Sequence, residues 1–335
     1  MGGIMLDSTM FRVTSSPHIR SGETTQRIML DVIIALLPAL FAGIYYFGMR
    51  SLIVTLVSVL FAVATEVAMQ KIMKRPVTVD DLSAVVTGIL LAFNVPSTAP
   101  LWMVAIGSIF AIAIVKHCFG GLGHNFINPA LAARAMLLAS WPVRMTSSAF
   151  LTPGTDAVSS ATPLAALKAG MLEGMSGATA ATATVQTVPT IMDLFIGNVA
   201  GCIGETSALA LLIGGLYLVY RGVISFRIPV AYIGTVAILS FIFGGFNPYI
   251  AVYHIFAGGL FLGAIFMATD YSTSPMTAKG QIIMGLGAGI LTTLIRFYGA
   301  YPEGVSYSIL LMNVATPLID RFTMTKKFGE VKKSA

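Results

Sequence analysis

Long apolar runs separated by short polar segments dominate the chain. Several of them approach the roughly 20 residues that cross a bilayer core as an α-helix. The apolar runs cover residues 28–49, 51–73, 82–95, 101–118, 128–142, 191–219, 228–247, 249–268, 281–299 and 304–320. The pattern therefore predicts an all-α polytopic membrane protein with about ten transmembrane helices.

Three of these runs do not have the length of a regular transmembrane helix. The third and fifth runs, 82–95 and 128–142, are short and have asparagine or proline at their edges. The sixth run, 191–219, is too long and contains several glycines and Glu205. Such segments predict interrupted or re-entrant helices, because irregular backbone at membrane depth is tolerated only when it is buried in protein or lines a cavity.

The composition excludes an ordinary soluble protein. Of 335 residues, 56% are hydrophobic and only 10% are charged, whereas soluble domains carry about 25% charged residues. The net charge of +6 comes from basic residues in short loops and tails, so we expect no nucleic-acid partner. Residues 1–27 are polar and contain no apolar core of a signal peptide. The two cysteines, Cys118 and Cys202, lie far apart in apolar runs and are expected to be packing residues.

The distribution of lysine and arginine predicts the orientation in the cell inner membrane. Basic residues cluster in segments that would all lie on the cytoplasmic side, together with both termini; they are Arg12, Arg20, Arg27, Lys71, Lys74, Arg75, Arg221, Arg227, Lys279, Lys326, Lys327, Lys332 and Lys333. The exceptions, Arg144 and Lys168, fall in the long loop 143–190, which is then extracytoplasmic.

This orientation divides the chain into five parts and suggests a repeat. They are a cytoplasmic segment 1–27, a first five-helix repeat 28–142, the loop 143–190, a second five-helix repeat 191–320, and a cytoplasmic tail 321–335. "FNVPSTAP" (93–100) is similar to "ATDYSTSP" (268–275), and "FGGLG" (119–123) to "FYGAYPEG" (297–304). Because the two halves start on opposite sides, we expect inverted repeats, in which interrupted helices meet around a central site; chance similarity is the alternative.

The loop contains one segment with possible cofactor chemistry, "DAVSSATPL" (156–164). The Thr162 hydroxyl can be esterified to a phosphate, and Asp156 and Ser159 lie close to it among small residues. The simpler interpretation is a turn whose Ser and Thr cap the next helix. A second segment, "EGMSGAT" (173–179), offers Thr179 as an alternative attachment residue, although it has Glu in place of Asp.

Four acidic residues lie within or at the ends of apolar runs, and each is a candidate functional residue because a charge at membrane depth is costly. Glu66, Glu205 and Asp320 are the candidates for coupling to a translocated cation, and Asp270 ends the eighth run. Structural alternatives exist for three of them. Glu66 could face the inner interface, Glu205 could be a polar link between helices, and Asp320 could pair with Arg321.

Several blocks of the chain resemble one family of membrane redox proteins. "DAVSSAT" resembles the D-x-x-[ST]-x-A-T signature at which FMN is joined to threonine through its phosphate, although Ala157 stands where many relatives have glycine. That signature occurs in the family of the Rnf-complex D subunit and the B subunit of sodium-pumping NADH:quinone oxidoreductase. Similar blocks are "SSPHIRSGETTQRIMLDVIIALLPA" (15–39), "FGGLGHNFINPALAARA" (119–135), "GETS" (204–207), "FMATDYSTSPMT" (266–277) and "YPEGVSYSILLMNVATPLID" (301–320). The first block favours the Rnf branch.

The resemblance implies two flavins and a role in electron transfer. Covalent FMN is expected on Thr162 as a phosphoester. The other residues expected to bind flavin are Asp156, Ser159, Glu205 and Thr206, together with Asn125, Asn128 and Asp270, which the resemblance places at a non-covalent riboflavin. Electrons would pass between ferredoxin and NAD through partner subunits, coupled to movement of Na⁺ or H⁺.

Two weaker signals accompany these expectations. In "GGLGHNFINP" (120–129), asparagine amides can bond the edge of a flavin ring, although a glycine turn with a helix-capping asparagine explains the block equally well. The four histidines, which have no metal-ligand spacing, are His18, His117, His124 and His254. A urea- or ammonium-type channel is the alternative function, because the pattern of five plus five helices fits that class without a flavin.

Overall fold

A computed structural model describes residues 23–146, 150, 162–168, 189–299 and 303–324, and this part of the chain is α-helical with irregular connections. The only strand-like pairing among the described residues is an isolated antiparallel bridge between Pro96 and Cys202. The predicted all-α class is therefore confirmed. Among the candidate flavin-binding and attachment residues, Asp156, Ser159 and Thr179 lie outside the described residues.

The helices of the first half begin and end at local signals. Thr24 caps the first helix through its side chain, and Gly48, at φ 74°, ends it. Asn128 caps the fifth helix, which has Pro129 in its first turn, where a proline needs no amide donor. The helices are α1 (Thr25–Phe47), α2 (Met49–Ile72), α3 (Ser83–Phe93), α4 (Leu101–Ile109, continued by a π-helix Phe110–His117), α5 (Pro129–Ser140) and α6 (Pro142–Met145).

The second half follows a short helical segment at 163–168. Its helices are α7 (Ile191–Ile196), α8 (Ala208–Tyr220), α9 (Arg227–Phe243), α10 (Pro248–Phe256), α11 (Leu260–Leu262, continued by a π-helix Gly263–Met267), α12 (Ala278–Tyr298) and α13 (Val305–Thr323). Every apolar run of the sequence thus corresponds to a helix or to a broken pair of helices.

Three helices, α1, α2 and α12, are each long and apolar enough to cross a membrane. Helices α10 and α11 form one further candidate span, bent by 62° at a short break. The remaining apolar helices α3, α4 with its π-helix, α5, α8 and α9 are shorter. The chain is therefore a multi-pass membrane protein in which several apolar segments are shorter than a full crossing or broken.

Two breaks lie in the sixth and eighth runs. The sixth run is interrupted between Ile196 and Ala208, as the sequence predicts. The eighth run is also broken, which the apolar pattern alone did not predict. There the chain turns at Gly258 with φ 71°, a backbone conformation that glycine adopts easily.

The break before α8 pairs with the segment that follows α3. The Ile203 and Gly204 amides donate to the carbonyls of Val95 and Phe93, at 3.3 and 3.0 Å. A Cβ on Gly204 would lie only 2.3 Å from Phe93 side-chain atoms, so glycine permits this approach. The irregular backbone is thereby hydrogen-bonded inside the protein, as membrane depth requires.

Helix α1 lies against α8 so closely that a side chain would not fit at one position. A Cβ on Gly214 would lie 2.0 Å from the Ala35 carbonyl oxygen. The same pair is joined by Asp31, which accepts hydrogen bonds from Tyr217 at 2.8 Å and from Arg221 at 3.0 and 3.1 Å. This contact connects the first and second halves of the chain.

We expect Gly214→Ala to destabilise the protein by about 1 to 3 kcal/mol, the usual cost of overpacking a tight core. Gly234→Ala in α9 is the matched control, because a Cβ there meets nothing within 4 Å. Thermal unfolding of the purified chain in detergent measures both. Equal midpoints for the two variants would contradict the close contact between α1 and α8.

Candidate functional site

One cavity brings together the residues predicted to bind riboflavin. Its empty space, open solvent included, is about 810 Å³, and Asn125, Asn128 and Asp270 all line it. Side chains of α1, α3, α5 and α8 form its mostly apolar walls. We call this cavity the large pocket. The sequence blocks 120–129 and 268–275 thus meet in space, one from each half of the chain.

The polar groups of the large pocket differ in what they do locally. Asn128 is the N-cap of α5, where its Oδ1 accepts from the Ala130 amide at 3.0 Å. Its Nδ2 donates to the Met267 carbonyl at 3.3 Å, so its amide also connects two parts of the wall. Asp270 accepts from the hydroxyls of Ser272 and Thr273, at 3.0 and 3.2 Å. The helix-capping interpretation of Asn128 is therefore confirmed. Its hydrogen bonds hold two parts of the pocket wall together.

Glu66 lies beside the large pocket in a buried ion pair. The Lys116 ammonium is 2.8 and 2.6 Å from the two carboxylate oxygens of Glu66, and 2.7 Å from Ser83 Oγ. Gln70 Nε2 donates to the same carboxylate at 3.1 Å, and His117 Nε2 lies 3.5 Å away. All five residues are buried, so the alternative that Glu66 simply faces the membrane interface is wrong. Lys116 and Ser83 both line the large pocket.

A second cavity, which we call the small pocket, lies under Thr162. Its empty space, open solvent included, is about 330 Å³, and it is also lined by Glu205, Thr206 and Glu303. Thr162 is itself buried, and its Oγ accepts from the Ala165 amide at 3.3 Å. The hydroxyl therefore caps the helical segment 163–168, as the simpler interpretation of the sequence expects.

Arg134 joins the acidic groups of the small pocket. Its Nη1 lies 3.1 Å from Glu205 Oε1 and donates to Ser306 Oγ at 2.6 Å. Its Nη2 pairs with Glu303, and Nη1 also donates to Asn94 Oδ1 at 3.2 Å. Because α5 supplies the guanidinium and the break before α8 supplies Glu205, this pair is a polar link between helices.

A second arginine, Arg296, fixes the break between α10 and α11. It donates to the carbonyls of His254, Ala257 and Glu303, at 2.5, 3.1 and 3.1 Å. The bonds to His254 and Ala257 satisfy carbonyl groups at the end of α10 that the break would otherwise leave unpaired.

Cys202, Glu205 and Glu303 could present ligand atoms to a metal ion, since one atom from each lies within 4.8 Å of the others. Arg134 already pairs with both carboxylates, so its one positive charge compensates one of the two negative charges.

Helix α5 connects the two pockets. Asn128 at its start borders the large pocket, and Arg134 six positions later reaches the acids of the small pocket. At 1.5 Å per residue, the two positions are about 9 Å apart along the helix axis. A displacement of α5 at one pocket therefore occurs close to the other pocket.

Asp320 stands apart from both pockets. It is half-buried near the end of α13, and its Oδ1 accepts from the Met276 amide at 3.2 Å. Among the described residues it forms no ion pair with Arg321, so that alternative is wrong.

The sequence analysis missed three basic residues, Lys116, Arg134 and Arg296. Each is a lone basic residue within or near the end of an apolar run, and each is buried. The signal was available, because an intramembrane base normally faces the protein interior and has a partner. Pairing these bases with the acids of the other runs would have indicated both clusters.

Comparison with known proteins gives a family and similar relatives. The model of the family described as "NQR2, RnfD, RnfE family" matches residues 12–329. The D subunit of the Na⁺-translocating ferredoxin:NAD⁺ oxidoreductase complex of Acetobacterium woodii is 58% identical over 327 residues, which are 96% of this chain and 97% of the relative.

Two further relatives are similar over almost their whole length. The D subunit of the proton-translocating ferredoxin:NAD⁺ oxidoreductase complex of Clostridium ljungdahlii is 49% identical over 333 residues, covering 98% of this chain and 99% of the relative. The D subunit of the ion-translocating oxidoreductase complex of Actinobacillus pleuropneumoniae is 36% identical over 357 residues, covering 96% and 99%.

We expect Arg134→Met to destabilise the chain strongly, by about 3 to 5 kcal/mol, because it leaves buried carboxylates without a partner. The double variant Arg134→Met/Glu205→Gln should recover part of this loss. Arg144→Met is the control, because its exposed guanidinium lies over the Trp102 ring at 5.5 Å and contributes little. Thermal unfolding in detergent measures all three, and equal midpoints for Arg134→Met and Arg144→Met would contradict the interpretation.

Proposed function

This chain belongs to the NQR2, RnfD, RnfE family, and we propose that it is the membrane-embedded D subunit of an ion-translocating ferredoxin:NAD⁺ oxidoreductase. The observation that carries this proposal is 58% identity to such a subunit over nearly the whole of both chains. The chain then works with the other subunits of the complex and is not catalytic alone. Family membership decides against the urea- or ammonium-type channel.

The topology that we propose has ten crossings in two inverted repeats, with both termini in the cytoplasm. Equivalent packing in the two halves supports it, because α2 packs on α4 in the first half and α9 packs on α12 in the second. The end of the protein with the large pocket carries Arg75 and Arg221, so by the positive-inside rule it is the cytoplasmic end. The small pocket then lies toward the extracytoplasmic side.

We assign a covalent FMN to Thr162, joined through its phosphate. The supporting features are the "DAVSSAT" segment and the position of this hydroxyl at the proposed extracytoplasmic end. Two of the residues that line the small pocket, Glu205 and Glu303, are acids. An anionic ester is therefore better accommodated away from these carboxylates than between them.

The chemistry of the large pocket fits a flavin without a phosphate. Its mostly apolar walls with a few polar groups suit a flat aromatic ring. Among the described residues that line it, the one basic side chain is Lys116, which Glu66 already neutralises. No unpaired cation is present among those lining residues to hold a phosphate, which favours riboflavin. When bound, that flavin supplies one- and two-electron chemistry, and this chain positions it.

Ion coupling is assigned to the buried acids Glu205 and Glu66, with Asp320 as a further candidate. Glu205 pairs with Arg134 on α5, the helix whose first residues border the large pocket. The names of the relatives specify Na⁺ in one case and protons in another, so the same fold is compatible with either ion.

Replacing Thr162 by alanine should abolish covalent flavin while the protein still inserts, because the lost N-cap costs only about 1 kcal/mol. In-gel flavin fluorescence of the denatured chain is the measurement. Thr179→Ala is the control and should keep its fluorescence. Fluorescence that persists in Thr162→Ala and disappears in Thr179→Ala would move the attachment to the second segment.

Replacing Asp270 by leucine should lower the amount of phosphate-free flavin that acid releases from the purified chain, because it removes a carboxylate from the wall of the large pocket. Covalent flavin should stay unchanged. Asp80→Leu removes an exposed carboxylate of the same charge and should have no effect. Equal release from both variants would contradict the assignment of the large pocket.

A further inference from the structure

The Lys116 ammonium is the feature of the large pocket that the assigned functions do not yet use. Its three protons have three acceptors, the two oxygens of Glu66 and the hydroxyl of Ser83. Ser83 in turn donates to Asp81 Oδ1 at 2.6 Å. Lys116 is nevertheless a wall residue of the pocket, so one ammonium lies between a buried carboxylate and the space for a ligand.

We propose that Lys116 is shared between Glu66 and the occupant of the large pocket, so that negative charge arriving in the pocket weakens the Glu66–Lys116 pair. This inference rests on the proposed binding of a flavin there. An electron delivered by the partner subunits adds one negative charge to the pocket, and no bond of the protein is formed or broken. The charge is compensated by movement of the ammonium toward it.

The surroundings make this competition effective. Opposite charges attract several times more strongly in a protein interior than in water, and both members of the pair are almost fully buried. A lysine ammonium is a compact charge on a flexible stem with three rotatable donors, so it can exchange partners without moving its helix. The other charged side chain that lines the pocket, Asp270, is an acid and cannot take over this role.

A weakened pair changes what Glu66 can bind. Its other hydrogen-bond donor, Gln70, also bonds Thr78 through Nε2 at 2.9 Å and through Oε1 at 3.0 Å. Thr78 is exposed at the proposed cytoplasmic end. The side chains of Gln70 and Thr78 therefore connect the Glu66 carboxylate to the surface. Once released from Lys116, this carboxylate can attract a cation or a proton. Because coupling between two sites is reciprocal, a cation or a proton bound at Glu66 must also favour negative charge in the pocket.

The first test measures the midpoint potential of the phosphate-free flavin in the purified full-length chain by spectroelectrochemical titration. Lys116→Met should make the potential more negative, and Glu66→Gln should make it more positive. The midpoint potential of the double variant Glu66→Gln/Lys116→Met should be more negative than that of Glu66→Gln alone. The double variant removes both charges of this pair, so neither is left without its partner. Lys71→Met removes an exposed lysine of α2 and should leave the potential unchanged.

The second test measures release of Glu66 itself. Dicyclohexylcarbodiimide modifies carboxylates in apolar surroundings, and mass spectrometry locates the product. Labelling of Glu66 should increase when the flavin is reduced, whereas labelling of Asp193, which lies in α7 away from the large pocket, should not change with redox state.

The outcomes separate this inference from the function on which it rests. A wild-type chain that carries no phosphate-free flavin overturns the assignment of the large pocket and this inference with it. Where the flavin is bound, equal potentials in Glu66→Gln and the double variant overturn the role of Lys116 alone. Equal labelling of Glu66 in the oxidised and reduced chain overturns the exchange of partners.

Discussion

Pairing of buried charges is the constraint on which this structure depends. An uncompensated charge inside a membrane protein is expensive, and here the buried acids find bases in other apolar runs. Glu66 on α2 pairs with Lys116, and Glu205 pairs with Arg134 on α5. Each pair ties together segments that are distant in the chain. The apolar helices alone could pack in many ways, because lipid and helix surfaces are equally apolar, so the ion pairs select the arrangement.

The same pairs lie where the helices are short or broken, and this is where the pockets form. Arg134 reaches the break before α8, and Arg296 satisfies the carbonyls at the break between α10 and α11. A broken helix leaves backbone groups unpaired and also leaves an empty space. A charged side chain forms hydrogen bonds with those backbone groups but does not fill the space. The result is a small pocket beneath Thr162 and a large pocket at the other end of α5, with one short helix between them.

Much of this arrangement could be predicted from the sequence, and the remainder has identifiable reasons. Hydrophobic runs predict the helices, and the family resemblance predicts that Asn125 and Asp270 lie in one site. The break at Gly258 was missed because two glycines in an apolar run do not interrupt its hydrophobicity. Lys116 and Arg134 were missed because acids were considered without the bases that must neutralise them. Which base meets which acid depends on packing between distant runs, and local sequence does not encode it.

The flavin content of the purified wild-type chain tests the central claim most directly. After acid precipitation, the account expects one flavin per chain to stay attached to the polypeptide and one flavin without phosphate to appear in the supernatant. Quantitative chromatography against riboflavin and FMN standards distinguishes the two. A chain that retains no flavin, or that releases none without phosphate, would contradict the claim that one flavin is attached to Thr162 and another is bound in the large pocket.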